Sequence, residues 1–386
     1  VNALTFYEFF AGGGMARAGL GDGWRCLFAN DLSPKKAAAY RANWGADDLH
    51  VGDVHDVTAS MLPGRADLAW GSFPCQDLSL AGLGGGLAAK RSGAFWGFWS
   101  AVLALKAEGR APRTLVLENV CGALTSRGGR DFAEIGAALA SAGYRFGALV
   151  IDAALFLPQS RPRLFIVAIA GDIAVPQHIL GFGPSEPWHP KALVAAQVGM
   201  DEAARTNWLW WRAPLPRANV LRLADVVERA PSDVPWHRPA ETEAVLALMA
   251  PLHRARLAAL GRDGGAHVGA VYKRMRLDPL TGAKVQRAEA RFDGLAGCLR
   301  TPAGGSSRQT LMVVEGDSVR TRLMSAREAA RLMGLDDGYI LPANYNDAYR
   351  LAGDGVAVPV VRFLAAELLE PLLRGASAHR PVRRAG

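Results

Sequence analysis

The sequence is short of cysteine, has no long unbroken apolar run and carries no surplus of acid. Only four cysteines, Cys26, Cys75, Cys121 and Cys298, occur in 386 residues. Their spacing matches no metal motif, so no metal is expected, and they are too sparse for a disulfide framework; reduced thiols suit a cytoplasmic setting. No stretch approaches the roughly twenty apolar residues that span a bilayer, and no leader-like segment precedes the first apolar strand, so no membrane partner is expected. Internal repeats and low-complexity tracts are also lacking. Acid is what the charge balance is missing: 44 Lys and Arg face 36 Asp and Glu, a net charge of +8 that favours a polyanionic partner. A hydrophobic content of 50% is ample for one large core and a smaller domain.

What is present begins with an apolar strand, Leu4 to Phe10, running into Ala11-Gly12-Gly13-Gly14 and then a helical segment opened by Met15. Glycines at such a junction let backbone amides approach a ligand closely, as in nucleotide-type cofactor sites, although a glycine run after a strand is also an ordinary tight turn. The next strand, Cys26 to Asn30, ends in Asp31 and Leu32 about twenty residues on, where a ribose diol would be gripped. Gly52-Asp53-Val54 repeats that arrangement.

A third apolar run, Ala66 to Trp70, leads into Gly71-Ser72-Phe73-Pro74-Cys75-Gln76. The Pro-Cys step turns the chain out at the strand's carboxyl end, so the thiol is placed as a nucleophile; a buried structural thiol is the alternative. Thr114 to Leu117 is a short buried strand that delivers Glu118-Asn119-Val120, and a carboxylate beside a reactive thiol in a dry pocket can donate a proton to a ring nitrogen. After the strand Ala148 to Ile151, Gln159-Ser160-Arg161-Pro162-Arg163 places two arginines two apart, facing one side of an extended chain toward phosphate, carboxylate or a base carbonyl.

Taken in order, these segments resemble the DNA cytosine-5 methyltransferase family. Phe10 to Gly14 is similar to its first cofactor motif, Pro74-Cys75-Gln76 to its nucleophile motif, Glu118-Asn119-Val120 to its acid motif and Gln159 to Arg163 to its paired-arginine motif. Arg322 to Gly334 is similar to its penultimate motif, and Gly353 to Val360 to its last. The resemblance covers residues 4 to 170 and about 319 to 372. Two positions depart from it: Met15 replaces a usual glycine, and Asp354 a usual asparagine. A carboxylate at 354 suits the positive charge of a sulfonium.

The resemblance implies a Rossmann-like class I methyltransferase, an α/β fold with a mostly parallel seven-stranded sheet and a smaller inserted target-recognition domain. It also implies S-adenosylmethionine as methyl donor, S-adenosylhomocysteine as product and duplex DNA as substrate. Cys75 would add to C6 of a flipped-out cytosine, Glu118 would hold N3 and the exocyclic amine, Asn119 would fix the turn, and Arg161 and Arg163 would hold the carboxylate, the base carbonyl and a phosphate. Phe10, Ala11, Gly12, Gly14, Met15, Asp31, Leu32, Asp53, Val54, Phe95, Asp354, Gly355 and Val356 are the residues expected at the cofactor. Gln76 and Ser79 are expected at the DNA, together with Arg91 in a glycine-rich lid that follows the nucleophile.

Between Arg254 and Arg308, eleven Lys and Arg stand against four Asp and Glu, in a stretch without strand-helix alternation. In the family this is where bases are read, so Lys273, Arg274, Arg276, Arg308 and Gln309 are the DNA-contact candidates, with a plain solvated surface as the alternative for any one of them. Trp208, Trp210 and Trp211 read as a local core. The expected organisation is a catalytic domain at 1–172, recognition at 173–318, a return to the catalytic domain at 319–376 and a basic tail at 377–386. A monomer is expected, with a cognate restriction endonuclease as a further partner. An RNA methyltransferase, a catalytically dead DNA-binding regulator and a dinucleotide oxidoreductase are the rival readings; the first is disfavoured by the lack of that branch's Cys-Phe-Thr tripeptide, the second by retention of Cys75, Glu118, Arg161 and Arg163.

Overall fold

The computed structural model describes residues 2–74, 93–278, 281–300 and 308–377. They form two compact units: Val1–Asp152, Pro162–Arg217 and Val356–Gly386 make the first, Ala153–Arg161 and Ala218–Gly355 the second.

The first unit is built on seven strands, β1 (Leu4–Phe9), β2 (Trp24–Asp31), β3 (Leu49–Val51), β4 (Leu68–Gly71), β5 (Thr114–Val120), β6 (Tyr144–Asp152) and β7 (Pro162–Ala170), in the order β3-β2-β1-β4-β5-β7-β6. All are parallel except β7, which runs antiparallel between β5 and β6. The strands read as near-continuous apolar runs because helices cover the sheet. Phe9 and Phe98 meet edge to face at 5.0 Å in the resulting core, with Phe28, Leu115, Phe132 and Ile166 around them. The helices are α1 (Met15–Leu20), α2 (Pro34–Trp44), α3 (Ala94–Ala107) and α4 (Arg130–Ser141). Local chemistry sets α2: the Ser33 hydroxyl accepts from the Lys36 amide, Pro34 opens the first turn, and Gly45 ends the helix at φ +86°. The chain works outward from β1 to β3 and then crosses to β4, so the strand order reverses between β1 and β4, where the carboxyl ends of such sheets bind ligands.

The limits of the two units differ from those drawn on the sequence. Residues 173–217, with β8 (Leu180–Gly181), α5 (Lys191–Val198), α6 (Glu202–Thr206) and β9 (Trp210–Trp211), remain with the sheet. The reason is direct hydrogen bonding: Phe146 exchanges backbone bonds with Asn207 (2.9 Å) and Leu209 (2.6 Å), and the Trp211 indole donates to the Val167 carbonyl. Trp208 packs on Phe146 at 5.5 Å, so the tryptophan cluster is indeed core.

The second unit holds α7 (Leu223–Val226), α8 (Pro239–Ala247), α9 (Pro251–Arg262) and an antiparallel sheet of β10 (Ala266–Leu277), β11 (Lys284–Arg291), β12 (Thr310–Glu315) and β13 (Ser318–Leu323), ordered β11-β10-β12-β13. Val271, Ala290, Met312 and Val314 on one face pack with Val245, Met249 and Leu257 from around α8 and α9. Pairing of β13 along the whole of β12 keeps residues 319–355 in this unit. There α10 (Ala326–Arg331) opens with the expected capping box of Ser325 and Glu328. Glu328 is buried and takes both ends of the Arg322 guanidinium at 2.8 and 2.5 Å, along with the amides of Ser325 and Glu228, so β13 and α10 are joined by a buried ion pair whose carboxylate is fully engaged while Arg322 Nε has no hydrogen-bond partner among the described residues. The unit ends with α11 (Tyr345–Asp354).

The chain returns to the first unit through α12 (Val358–Leu364), which passes by a π-turn at Ala365–Leu369 into α13 (Glu370–Ser377). A Cβ on Gly19 would stand 2.4 Å from that of Val361, so only glycine lets α1 lie against α12. Among the described residues, no helix is long and apolar enough to cross a membrane.

Candidate active site

At the end of β1 the backbone turns sharply through left-handed conformations at Phe10 (φ +58°), Gly12 (φ +56°) and Gly14 (φ +77°). A bulky residue such as Phe10 at positive φ carries strain, which persists only where the surroundings hold it. Two of the bonds that hold this turn tie it to the end of β2. The Ala11 amide donates to the Asn30 carbonyl at 2.8 Å, and the Gly12 amide donates to Asp31 Oδ2 at 2.8 Å. Asp31 Oδ1 accepts the Ser33 amide at 2.7 Å, so this carboxylate links the glycine turn to the start of α2. A Cβ on Gly14 would lie 2.3 Å from Trp44 Nε1, whereas one on Gly12 would meet no atom within 4 Å. Gly12 therefore borders open space, which fits the close approach of a nucleotide-type cofactor.

The other expected cofactor residues divide. Leu32 projects its side chain into solvent beside Asp31, 68% exposed. Asp53 Oδ1 receives the His55 amide at 3.0 Å and contacts His55 Nδ1 at 2.8 Å, which caps the short turn that buries Val54. Met15 is buried as the first residue of α1. Phe95 corrects the sequence reading: its side chain has no exposed surface, tilted on Phe73 at 5.6 Å and stacked on Trp99 at 6.1 Å, because α3 turns it into the core.

One residue the motifs passed over is Glu8, on β1 beneath the turn and 2% exposed. Burial raises its pKa to about 8, while the amides of Arg17 and Ala16 at the start of α1 and the Arg17 charge pull the other way. Its signal in the sequence is an acid inside an otherwise apolar strand.

At the ends of β4 and β5 the second half of the site assembles. The Asn119 Nδ2 donates to the Phe73 carbonyl at 3.3 Å and its Oδ1 accepts the Val120 amide at 2.8 Å, so this buried side chain ties β5 to the loop one residue before Pro74. Pro74 itself is exposed; Cys75, Gln76, Ser79 and Arg91 lie outside the described residues. Glu118 is buried, and Arg163 Nε approaches its Oε1 at 3.3 Å. Register explains the pairing: Arg163 stands opposite Val120, two residues from Glu118 and therefore on the same face. The neighbouring thiol of Cys121 has a raised pKa because it is buried, opposed by Arg163.

Arg161 corrects the expectation of paired arginines. It lies one residue before β7 begins and falls in the second unit, so strand alternation does not put it on the face of Arg163. Its guanidinium, 2% exposed, donates to the carbonyls of Leu299 (3.1 Å), Gly353 (2.9 Å) and Gly355 (2.7 Å), which makes it a clamp on the segment bearing exposed Asp354. Gln159 does similar work unforeseen in the motif, accepting from the Leu299 amide and donating to the Leu332 carbonyl. Val356 is buried in the first unit.

Of the residues proposed to face DNA, Gln309 is displaced by the structure. It is buried, its amide donates to the Tyr349 hydroxyl and its Nε2 to the Cys298 carbonyl, because β12 starts at the next residue. Arg308 hydrogen-bonds Asn346 and lies over the Tyr345 ring at 5.6 Å. Lys273, Arg274 and Arg276 sit on β10, the two arginines largely exposed.

A sheet whose order reverses between β1 and β4, a strained glycine turn on β1 and an acid closing β2 define a Rossmann-like class I methyltransferase. The chain belongs to the C-5 cytosine-specific DNA methylase family, whose profile matches residues 4–203 and 252–370. Its activity is that of a DNA (cytosine-5-)-methyltransferase. It is 26% identical over 386 residues to the Type II methyltransferase M.HpaII of Haemophilus parainfluenzae, covering 96% of this chain and 90% of that one. To the Type II methyltransferase M.NlaX of Neisseria lactamica it is 26% identical over 373 residues, 94% and 95% of the two chains. Among solved structures, the Entamoeba histolytica methyltransferase EhMeth superposes with a TM-score of 0.61 at 13% identity, over 97% of this chain and 99% of the other. The S. pombe Dnmt2 methyltransferase gives 0.57 at 18%, over 96% and 99%, a likeness of fold.

Proposed function

We propose that this methyltransferase acts on a cytosine swung out of duplex DNA, through a transient bond from Cys75 to C6. A stacked base buries C5 and C6, so extrusion is required. The thiolate of Cys75 adds to C6 while Glu118, hydrogen-bonded at N3 and the exocyclic amine, gives N3 its proton; C5 becomes an enamine carbon able to attack a methyl group. S-adenosylmethionine, when bound, supplies that methyl as an electrophile on sulfur. Loss of the C5 proton to water, expulsion of Cys75 as the thiolate and return of the N3 proton to Glu118 then restore the ring. Gly12, Asp31 and Leu32 are the residues that would hold the donor, and the open space at Gly12 supports the fit.

The observation that carries this reading is the joint placement of two groups. Asn119 holds the carbonyl next to Pro74-Cys75, and Arg163 holds the adjacent Glu118. Arg163 thus orients the carboxyl toward the base and balances charge that develops there, and its positive field favours the thiolate. We read the second unit as the part that recognises sequence. We further read the chain as a monomer working on DNA in the cytoplasm, with a nuclease cutting the same sequence as counterpart, since its relatives are named Type II methyltransferases.

Bisulfite sequencing of plasmid DNA from cells expressing the chain tests the proposal. Cytosines in one short motif are expected to be methylated by the wild type and by no Cys75→Ala variant. Duplexes carrying 5-fluorocytosine at that position should become covalently attached to the wild type in the presence of the methyl donor. Methylation by Cys75→Ala at the wild-type level removes the covalent route.

A further inference from the structure

Strand β10 outruns its sheet. Ala266 to Val271 pair with β12, but from Tyr272 to Leu277 the strand pairs with β11 alone, and a two-stranded ribbon projects past the β12 edge. Tyr272, Arg274 and Arg276 alternate onto one face, opposite Glu289, Arg287 and Val285. On that face Glu289 serves two arginines. Its Oε1 receives Arg276 Nε at 2.6 Å and Nη2 at 2.5 Å, and its Oε2 lies 3.8 Å from Arg274 Nε. The Arg274 guanidinium also rests over the Tyr272 ring at 4.4 Å. Arg274 and Arg276 are nonetheless 46% and 50% exposed.

Exposed ion pairs of this kind add little to stability, so fold maintenance is a weak account of the shared carboxylate. Its effect is to fix the Arg276 plane by hydrogen bonds and to draw the charge of Arg274, whose plane rests on the Tyr272 ring, to the same side of a projecting element, which lowers the entropy lost when they dock. A two-stranded ribbon fits the major groove, where arginine pairs with guanine O6 and N7. Glu289 occupies the Nε–Nη2 edge of Arg276, and because the guanidinium is planar its Nη1–Nη2 edge is turned away from the carboxylate. Two residues of strand span about 6.7 Å, close to two base steps of about 3.4 Å.

We propose that Arg274 and Arg276 read two guanines of the recognition sequence, about two steps apart, and that Glu289 is the positioning residue holding both forks. This rests on the reading of the second unit as the recognition part, and it selects one ribbon face within it.

The test uses the full-length enzyme and duplexes of the motif found by bisulfite sequencing, with 7-deazaguanine replacing guanine one position at a time. That analogue lacks the N7 acceptor but pairs normally. For the wild type, two positions should lower kcat/KM by roughly ten- to a hundredfold. Arg274→Lys and Arg276→Lys keep the charge but lose the fork; each should abolish the analogue penalty at one position, and Glu289→Gln should weaken it at both. The arginine assignment is overturned if the Lys variants keep the wild-type penalties. It is equally overturned if Arg→Ala variants weaken binding to every sequence alike with a salt slope lower by about one, the sign of phosphate contact. If the wild type methylates no duplex cytosine, it is the underlying reading that fails.

Discussion

Arg163 Nε stands 3.3 Å from Glu118 Oε1, two strands meeting antiparallel so that the carboxyl at the end of β5 is held from β7. Glu118 is buried and Arg163 is partly so, with side-chain exposures of 9% and 15%. Each group orients the other, so they should act as one unit. Glu118→Gln is expected to retain DNA binding in a gel-shift assay while slowing labelled-methyl incorporation by about a hundredfold or more. Arg163→Ala should cost a similar factor, and the double variant little beyond the worse single one. Losses that multiply would show two independent roles.

The two left-handed glycines of the cofactor turn separate stability from binding. Gly14→Ala combines φ +77° with a Cβ 2.3 Å from Trp44 Nε1, whose indole donates to the Gly13 carbonyl. It should lower stability by roughly 2 kcal/mol or more in thermal unfolding, because strain and collision act together. Gly12→Ala meets open space and carries only the left-handed penalty of about 1–2 kcal/mol. Calorimetric titration with S-adenosylmethionine should nevertheless find Gly12→Ala the more impaired in donor affinity per unit of stability lost.

The buried Glu8 makes stability fall as pH rises. Its carboxyl titrates near 4.5 when exposed and near 8 in the fold, chiefly because burial penalises the charge. Between those values the native state keeps a proton that the unfolded chain has released, so its contribution is full below about pH 4.5 and is lost as pH climbs through about 8. Glu8→Gln removes that slope. Melting curves from pH 5 to 9 should show the variant gaining on the wild type as pH increases; parallel curves would show that Glu8 ionises without cost.

Much of the fold was legible. Apolar runs at 4–10, 66–70, 114–117 and 148–151 became β1, β4, β5 and β6 because a sheet covered by helices needs uninterrupted apolar strands. The Ser325 and Glu328 box and the glycine turn are local in the same sense, since capping and left-handed φ depend on a few adjacent residues. Phe95, Gln309 and Arg161 were misread for a common reason. Their motif positions say which element they belong to, but the direction of a side chain is decided by what packs against that element. Arg161 and Arg163 illustrate it within three residues: one clamps carbonyls of the second unit, the other pairs with Glu118.

By itself the order of residues determined the strand-helix alternation, the glycine turn, the capped helices and the sites where carboxylates and arginines fall, because these depend on neighbours in the chain. Only the tertiary structure decided that Asp31 grips the Gly12 amide, that Glu8 is sealed from water and that Glu289 serves two arginines. Those outcomes depend on distances between segments far apart in sequence, and on dielectric surroundings that exist only once the chain has closed around them.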